Sequence, residues 1–344
     1  MLADFLPVAR DIPTTRSNVH HGGSFKRVFT WIDSLRAGAY YMSINVDNLE
    51  DVFSTLELAR QCDPTGMAQL YSDLKLIVLE VLDLCPVTVA GDRVQPDQLY
   101  VNFVERFLKL NENRLKVGQI SQANPDVIIT LNYDVNLEYV LNWRMQPVDY
   151  GLEGDSDPKA TQLLKLHGSV GWGLCRACSK KIQVIPPKRP DAPVEWLKGS
   201  GPIRIRMLDN LLPTARCVTC GVGGLLEPVV IPPTWAKSLP HPEIGSVWRR
   251  ATAAIEAAGQ IMLVGYSMPE SDAFIRYLLL LGLAKNKLLR RVIVVNPDGS
   301  AEFRHRYERM FARDLAERGK VVFRQETFEM FVQGSMAGFG SGAM

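Results

Sequence analysis

The sequence has no long apolar run and no excess of charge of one sign. Its longest apolar stretch covers 277–283, far short of the ~20 residues that a membrane-spanning helix requires. Lys and Arg together number 39 and Asp and Glu 37, so the charge balance gives no reason to expect a nucleic-acid partner. Asp4 interrupts the first apolar residues and Arg10 follows, which argues against a secretory signal peptide. We therefore expect a soluble, cytoplasmic protein without a membrane segment.

Cysteine is scarce, and four of the six cysteines form two Cys-x-x-Cys pairs. A two-residue gap lets both thiolates of a pair reach one ion, and two pairs complete the tetrahedral four-sulfur site that structural zinc prefers. Because the protein fills all four positions, we expect a structural zinc and not a catalytic one. The segment between the pairs is longer than the ~15–20 residues of compact zinc ribbons, which predicts an elaborated loop. The predicted ligands are Cys175, Cys178, Cys217 and Cys220.

The other two cysteines, Cys62 and Cys85, have no cysteine near them in sequence. A free cysteine behaves as a small hydrophobic residue and is among the residue types most often buried. We predict that both are buried.

Short apolar runs alternate with amphipathic stretches along the chain. Strands are predicted at 126–130, 163–166, 260–264, 291–295 and 321–324. Helices are predicted at 135–143, 247–258, 272–283 and 301–318. Runs this short and this apolar suit buried parallel strands, and their alternation with helices implies an α/β sheet. We therefore predict an α/β protein with a Rossmann-like parallel sheet, into which a helical part is inserted at about 45–120.

One segment breaks this alternation. Residues 171–227 are rich in Pro, Gly, Lys and Arg and contain all four paired cysteines. We interpret them as a small zinc-ribbon module inserted into a Rossmann-like domain formed by 1–170 and 228–333. The tail 334–344, which is rich in Gly, Ser, Ala and Met, is predicted to be flexible.

Polar residues follow four of the predicted strands, where ligands bind in open α/β sheets. A single Asn or Asp after a strand is usually a turn former or a helix cap, and a single His is more often structural than catalytic. At successive strand ends, however, such residues favour a crevice for a dinucleotide. The candidates are Thr130, Asn132, Asp134, His167, Gly265, Ser267 and Asn296.

These motifs resemble those of the sirtuin family, and they occur in the same order. Thr130-Leu-Asn-Tyr-Asp134 is similar to the Thr-Gln-Asn-Ile-Asp motif of sirtuins, and Leu166-His-Gly-Ser169 to their His-Gly motif. The two cysteine pairs, Gly265-Tyr-Ser267 and Val295-Asn296 then match the zinc ribbon, the Gly-Thr-Ser motif and the following Asn. The residues at these motif positions look most like those of the bacterial sirtuin-like branch. Many members of that branch are NAD hydrolases in antiphage defence.

The resemblance implies NAD as the substrate and cleavage of its nicotinamide–ribose bond. It makes His167 the general base, Asn132 the residue that positions a water or the ribose hydroxyls, and Asp134 the residue that orients the nicotinamide ribose. Gly265 and Ser267 would contact phosphate. Thr130 and Asn296 complete the cofactor-binding set, the latter at the adenosine ribose.

The sequence departs from the family pattern at three places. No strand with a Gly-rich loop opens the chain: His20-His-Gly-Gly-Ser24 has glycines but no preceding strand, and we interpret it as a plain loop. We hypothesise a truncation that removes the strand and loop, which would weaken NAD binding. Leu131 replaces the Gln of the first motif. Ile231-Pro-Pro-Thr-Trp235 replaces the Phe-Gly-Glu stretch of deacylases, and its prolines lack the N–H donors that capture a peptide strand.

Three functions remain open on these observations. The first is an NAD hydrolase, which uses water as the acceptor. The second is a protein deacylase, in which an acyl-lysine attacks the same carbon. The third is a zinc-stabilised scaffold without activity that binds a protein partner. The apolar runs at 277–283 and 328–332 suit internal packing, and either can also form an interface in a homo-oligomer.

Overall fold

A computed structural model describes most of the chain. The described residues are 22–39, 46–90, 93–118, 125–153, 157, 159–187, 204–208, 214–224, 226–231, 241–269, 272–311 and 320–334. The predicted tail beyond 334, the proline-containing segment 232–235 and the second half of the predicted helix 301–318 lie outside them.

The described residues form nine helices and twelve strands. The helices are α1 (Gly22–Ala39), α2 (Leu49–Cys62), α3 (Ala68–Leu82), α4 (Gln98–Lys116), α5 (Asn136–Trp143), α6 (Pro242–Ala257), α7 (Ala273–Leu283), α8 (Ala301–Met310) and α9 (Phe328–Gln333). The strands are β1 (Leu84–Ala90), β2 (Arg93–Pro96), β3 (Ile128–Thr130), β4 (Val148–Asp149), β5 (Thr161–Lys165), β6 (Gly168–Cys175), β7 (Ile182–Val184), β8 (Arg204–Arg206), β9 (Leu226–Val230), β10 (Gln260–Val264), β11 (Arg291–Val295) and β12 (Val321–Arg324). Within the described part of the chain, no helix has the length and apolar character needed to cross a membrane.

The chain divides into two compact units. The first unit contains Met1–Gln95, Asn132–Tyr139 and His167–Pro240, and the second contains Pro96–Leu131, Val140–Leu166 and His241–Met344. Each unit is therefore assembled from separated stretches of sequence. The predicted domain boundaries at 170 and 228 stay a prediction.

The first unit is built on helices α1, α2 and α3. Their apolar faces share one core in which Ile32, Leu56 and Leu74 are fully buried. The side chain of Asp73 joins two of the helices: its carboxylate accepts hydrogen bonds from Ser24 Oγ at 2.8 Å and from Arg27 Nε at 2.6 Å. Gly22, Gly23 and Ser24, predicted to lie in a loop, instead open α1, because Ser24 is tied to α3 by this hydrogen bond.

The predicted helical part at 45–120 also contains two strands, which corrects the sequence-based expectation. Strand β1 pairs antiparallel with β8, and β2 forms the other edge of this three-stranded sheet. Pro86 and the β-branched Val87 and Thr88 disfavour a helix and suit a pleated strand. Strand β8 comes from the segment between the two cysteine pairs, so that segment contributes to the core of the first unit.

The second unit contains two parallel three-stranded sheets, with strand orders β10-β11-β12 and β3-β5-β4. Strands β10, β11 and β12 begin and end where the sequence predicts. Ile128 of β3 packs in one apolar cluster with Ile293 and Val295 of β11, together with Phe107 and Phe331 from flanking helices. The predicted α/β class with parallel strands is confirmed.

Helix α6 begins before the predicted residue 247. Pro242 occupies its first turn, and the His241 ring accepts a hydrogen bond from the Glu243 backbone N–H at 3.3 Å. A proline at the first helical position has the required φ and no N–H to leave unpaired. The predicted start at residue 247 rests on the spacing of apolar residues, and that spacing gives no information about the capping residues. The helix therefore begins five residues earlier than predicted.

Candidate functional site

The four paired cysteines converge in the first unit. Their sulfur atoms all lie within 4.8 Å of one another. The Cys175 and Cys220 sulfurs are 3.7 Å apart, as are those of Cys178 and Cys217, so the contacts cross between the two pairs. This confirms the predicted four-cysteine cluster.

The two remaining cysteines differ in exposure. Cys85 is fully buried as predicted, whereas Cys62 is exposed at the end of α2, which corrects the prediction for that residue.

The two cysteine pairs have the same backbone geometry. The N–H of Ser179 donates to the Cys175 carbonyl at 2.8 Å, and the N–H of Gly221 donates to the Cys217 carbonyl at 2.8 Å. Both donors have left-handed backbones, with φ of 48° at Ser179 and 74° at Gly221. Glycine adopts that conformation without steric cost. The repeated turn presents both sulfurs of each pair toward a common centre.

The local field favours metal binding over four neutral thiols. Hydrogen bonds from the backbone N–H groups of Cys220 and Thr219 lower the pKa of the Cys217 thiol to about 6. The Val222 N–H acts to lower the pKa of Cys220, but desolvation and the neighbouring thiols raise it to about 11. Each thiolate formed therefore opposes ionisation of the next, and a bound dication removes that repulsion. Four thiolates in this arrangement fit zinc.

The cysteine cluster is mounted on a sheet of the first unit. Cys175 is the last residue of β6 and pairs with Leu226 of β9. Cys175, Cys217 and Leu226 are buried together, with Ile185 packed against them. The four-cysteine cluster is thus attached to the same strand, β6, that begins immediately after His167.

Tyr133 joins the first two sequence motifs within the first unit. Its hydroxyl donates to the Ile231 carbonyl at 2.6 Å, and the Ile231 N–H donates to the His167 carbonyl at 2.9 Å. The Tyr133 carbonyl accepts from the Val170 N–H at 3.0 Å. The rings of Tyr133 and His167 lie 5.8 Å apart at 30°. Tyr133, which lies between Asn132 and Asp134, is therefore bonded to the chain on both sides of His167.

The predicted catalytic residues differ in exposure. Asn132 is exposed, whereas Asp134 is 7% and His167 5% exposed. The Asp134 Oδ1 accepts from the N–H of Asn136, the first residue of α5, at 3.1 Å. Asp134 is therefore held at the start of a helix, as expected for a turn former, while Asn132 has a side chain that a ligand can reach.

Gly168 lets strands β6 and β9 approach closely next to His167. Its φ is +80°, and a Cβ placed there would lie 2.0 Å from the carbonyl oxygen of Val229. Only glycine fits both constraints. The adjacent Ser169 is fully buried, and its Oγ lies 3.4 Å from the Tyr133 carbonyl oxygen and from Glu138 Oε1.

The other candidates lie in the second unit. Thr130 ends β3, and its carbonyl accepts from the Leu166 N–H at 3.1 Å. Gly265 and Ser267 are exposed after β10, and Gly265 has a φ of +68°. Asn296 donates from Nδ2 to the Tyr266 carbonyl at 3.3 Å and accepts at Oδ1 from the Asp298 N–H at 2.9 Å. The Asn296 side chain thus binds the loop that follows β10, in addition to its position directly after β11.

Tyr307 is a residue that the sequence motifs missed. It is fully buried in α8, and its hydroxyl donates to the Tyr266 carbonyl at 2.6 Å. Burial raises the pKa of this hydroxyl well above its ordinary value, so it stays a donor. The apolar face that it shares with Phe303 predicts its burial, but no sequence pattern predicts the bond to a loop far along the chain.

A shallow depression, open to solvent, lies at the carboxyl ends of β11 and β12. Asn296, Asp298, Phe323 and Gln325 are among the residues that line it. Ligands of open α/β sheets bind beyond strand ends of this kind. Gln325 was not among the predicted site residues, because it follows a strand whose end carried no recognisable motif.

Comparisons with known proteins give matches among solved structures. No protein-family model and no curated protein matches the sequence. A mutant Sir2 homologue bound to ADP-ribose is 18% identical, with 81% of this chain and 75% of that chain covered and a TM-score of 0.38. A Sir2 complex with the inhibitor EX-527, 2'-O-acetyl-ADP-ribose and a deacetylated p53 peptide is 13% identical, covering 87% and 88%, with a TM-score of 0.41. A Sir2 homologue with NAD is 18% identical, covering 83% and 78%, with a TM-score of 0.36.

Proposed function

We propose that this protein is a sirtuin-like enzyme that cleaves the nicotinamide–ribose bond of NAD and transfers the ADP-ribose to water. The observation that carries the proposal is the link between the two motifs: Tyr133 stacks near the His167 ring and is bonded to the segment that holds its backbone. Two motifs separated in sequence are thereby brought to one place. The sirtuin-like order of all five motifs supplies the identity of the substrate.

The proposed chemistry follows from what these side chains can do. Nicotinamide leaves as a neutral molecule from a positively charged ring, so the transition state has oxocarbenium character and needs little acid assistance. It needs a nucleophile held near the anomeric carbon. We assign that task to Asn132, whose amide is exposed, and proton removal from the water to His167. Asp134, fixed at the start of α5, is assigned to the nicotinamide ribose.

The remaining motif residues are assigned to the rest of the dinucleotide, as the sirtuin-like pattern implies. Gly265 and Ser267 are exposed after β10, and a glycine allows a phosphate to approach the backbone closely. Thr130 ends β3 and Asn296 directly follows β11. Both are assigned to NAD binding, Asn296 at the adenosine ribose. Zinc takes no part in the reaction, because four cysteines fill its coordination sphere.

Water is the favoured acceptor because of the sequence that follows β9. Pro232 and Pro233 have no backbone N–H to donate to an extended acyl-lysine peptide.

The role in antiphage defence that the resemblance implies is part of the proposal. It is tested by counting plaques on cells that carry the gene or its His167→Ala variant.

Incubation of the zinc-loaded protein with NAD alone tests the acceptor. We expect stoichiometric nicotinamide and ADP-ribose, with no increase in rate when an acetyl-lysine peptide is added. Nicotinamide release only in the presence of the peptide would replace the hydrolase with a deacylase. Absence of NAD binding in a calorimetric titration would leave a zinc-stabilised scaffold.

A further inference from the structure

One helix of the second unit exposes a continuous apolar stripe. On α7, Tyr277 is 59%, Leu280 64% and Leu281 62% exposed, and Phe274 is 36% exposed. The opposite face of the helix is buried: Ile275, Leu278 and Leu279 are at most 5% exposed. Large apolar residues scattered singly over a surface are ordinary, but a contiguous group on one helix face marks an interaction site.

The stripe has the spacing of a helix–helix seam. Phe274, Tyr277, Leu281 and the exposed Ala284 are separated by three, four and three positions, which is the alternation of core positions in paired helices. Ala284 caps the helix with helical backbone angles, so the seam runs the full length of α7. The surface is therefore shaped to receive another helix.

The same residues are self-complementary about a two-fold axis. Tyr277 and Leu281 lie equally far on either side of residue 279, and so do Phe274 and Ala284. In an antiparallel pair of α7 helices crossing at that level, Tyr277 faces Leu281 of a second copy and the large Phe274 faces the small Ala284. A two-fold interface requires this reciprocity, and alternating large with small residues lets the two surfaces interdigitate.

Charge and area also favour a second copy in this orientation. Lys285 and Lys287 follow the C-terminal end of α7. Parallel pairing would place these cations beside their counterparts, whereas antiparallel pairing separates them by about a helix length, ~16 Å, beyond the Debye length of ~8 Å. The three large side chains of the stripe, together with the exposed Leu280 beside them, offer on the order of 400 Å². That is about half of the ~800 Å² that each partner buries in a standard interface. The stripe thus suits the apolar centre of a dimer.

We propose that α7 forms the centre of a two-fold homodimer interface, in which the stripe of Phe274, Tyr277, Leu281 and Ala284 packs antiparallel against the same stripe of a second copy. The proposal concerns a surface and is independent of the proposed NAD cleavage.

Sedimentation of the full-length, zinc-loaded protein at micromolar concentration tests this proposal. The chain mass is 38.4 kDa, and we expect a species of twice that mass. Leu281→Glu should weaken association at least ~30-fold, as expected for a central interface residue. Leu58→Glu is the matched control, because Leu58 is also a helical leucine and is 63% exposed; it should leave the dimer intact.

A cross-linking experiment tests the register and does not depend on a destabilising substitution. In a Cys62→Ser background, protein with Tyr277→Cys is mixed with protein carrying Leu281→Cys under mild oxidation. The mixture should form a covalent dimer, and protein with Leu58→Cys mixed with either should not. A monomeric wild type, an undiminished Leu281→Glu dimer, no cross-link in the mixture, or a monomer that binds anionic lipid vesicles through the stripe would overturn the proposal.

Discussion

At the scale of single residues, Gly168 couples the proposed catalytic histidine to the sheet that carries the four-cysteine cluster. It stands between His167 and Ser169, where β6 and β9 approach too closely for a side chain. A glycine in the left-handed region with backbone atoms at contact distance cannot be replaced without moving a strand. The position of His167 therefore depends on a neighbour that has no chemistry of its own.

Gly168→Ala is predicted to lower the free energy of unfolding by at least ~2 kcal/mol, because it adds a clash with the Val229 carbonyl to the cost of a left-handed backbone. Urea denaturation measures the change. Gly118→Ala is the matched control: Gly118 has a φ of +70° but open space around it, and the expected loss is about 1 kcal/mol. Equal losses in the two variants would contradict the steric explanation.

Tyr307→Phe is predicted to raise the KM for NAD about fivefold while kcat changes little, since loss of one hydrogen bond costs about 1 kcal/mol. The bond removed is the one from the hydroxyl to the Tyr266 carbonyl, which holds the loop assigned to phosphate. Steady-state kinetics provides the comparison. Tyr71→Phe, on α3 of the first unit, is the control and should leave KM unchanged. An unaltered KM in Tyr307→Phe would show that this hydroxyl does not position the loop.

The sequence predicts which residues are candidates for the site better than it predicts their hydrogen-bond partners. Asn132, His167 and Asn296 are recognisable because they follow short apolar strands, and that spacing is local. The bonds from Tyr307 to Tyr266 and from Tyr133 to Ile231 join residues that are distant in sequence. Such contacts depend on the folded path of the chain, and no local pattern encodes them.

At the scale of elements, the two cysteine turns act as one structural unit. Each turn supplies two sulfurs, and neither can complete a tetrahedral site alone. Because the turns lie at the end of β6 and beside β9, a metal ion held by all four sulfurs would fix the spacing of these two strands.

Metal analysis of purified protein is predicted to give about one zinc per chain. Cys217→Ser should abolish it, because structural zinc sites depend on a complete set of ligands. Cys62→Ser should retain it, since Cys62 is exposed on α2 outside the cluster. Folded wild-type protein without zinc would contradict the assignment of the cluster.

Asp73 is predicted to make the packing of α1 against α3 sensitive to acid. Burial alone would raise the pKa of Asp73, but hydrogen bonds from Arg27, Gln69 and Ser24 lower it below the ordinary value of 3.8. A lowered pKa contributes stability that is present above pH 3.8 and is lost as the pH falls through the pKa of the folded state. Asp73→Asn should therefore cost about 1 kcal/mol at pH 7 and less at pH 3.

Urea unfolding of wild type and Asp73→Asn at both pH values measures this difference. Glu112→Gln removes an exposed ion pair with Lys116 on α4 and should change stability little at either pH. A cost of Asp73→Asn that is the same at pH 7 and pH 3 would disprove the linkage to the Asp73 carboxylate.

Secondary structure was predictable where one local signal dominated. Strands β10 and β11 are apolar and β-branched and end at a glycine or asparagine, so their bounds follow directly from the sequence. Strands β1 and β8 were missed for a different reason. Their pairing joins a strand that follows α3 to three residues between the cysteine pairs, and neither sequence is distinctive until the other is beside it.

At the scale of the whole molecule, all five motifs support one proposed reaction, the cleavage of NAD. If the chain is an NAD-cleaving enzyme, its fold and a bound zinc would serve to hold a few polar groups in place. Stability and metal content can then be intact in a protein that has lost the reaction, provided that the substitution affects only a reacting group.

The most direct test is the initial rate of nicotinamide release from NAD by wild type, His167→Ala and Asn132→Ala, each with its zinc content and unfolding transition verified. We predict release by the wild type without any added peptide and a loss of at least ~100-fold in both variants, the range expected for removal of a general base. Undiminished release by either folded variant, or none by the wild type, would contradict this prediction.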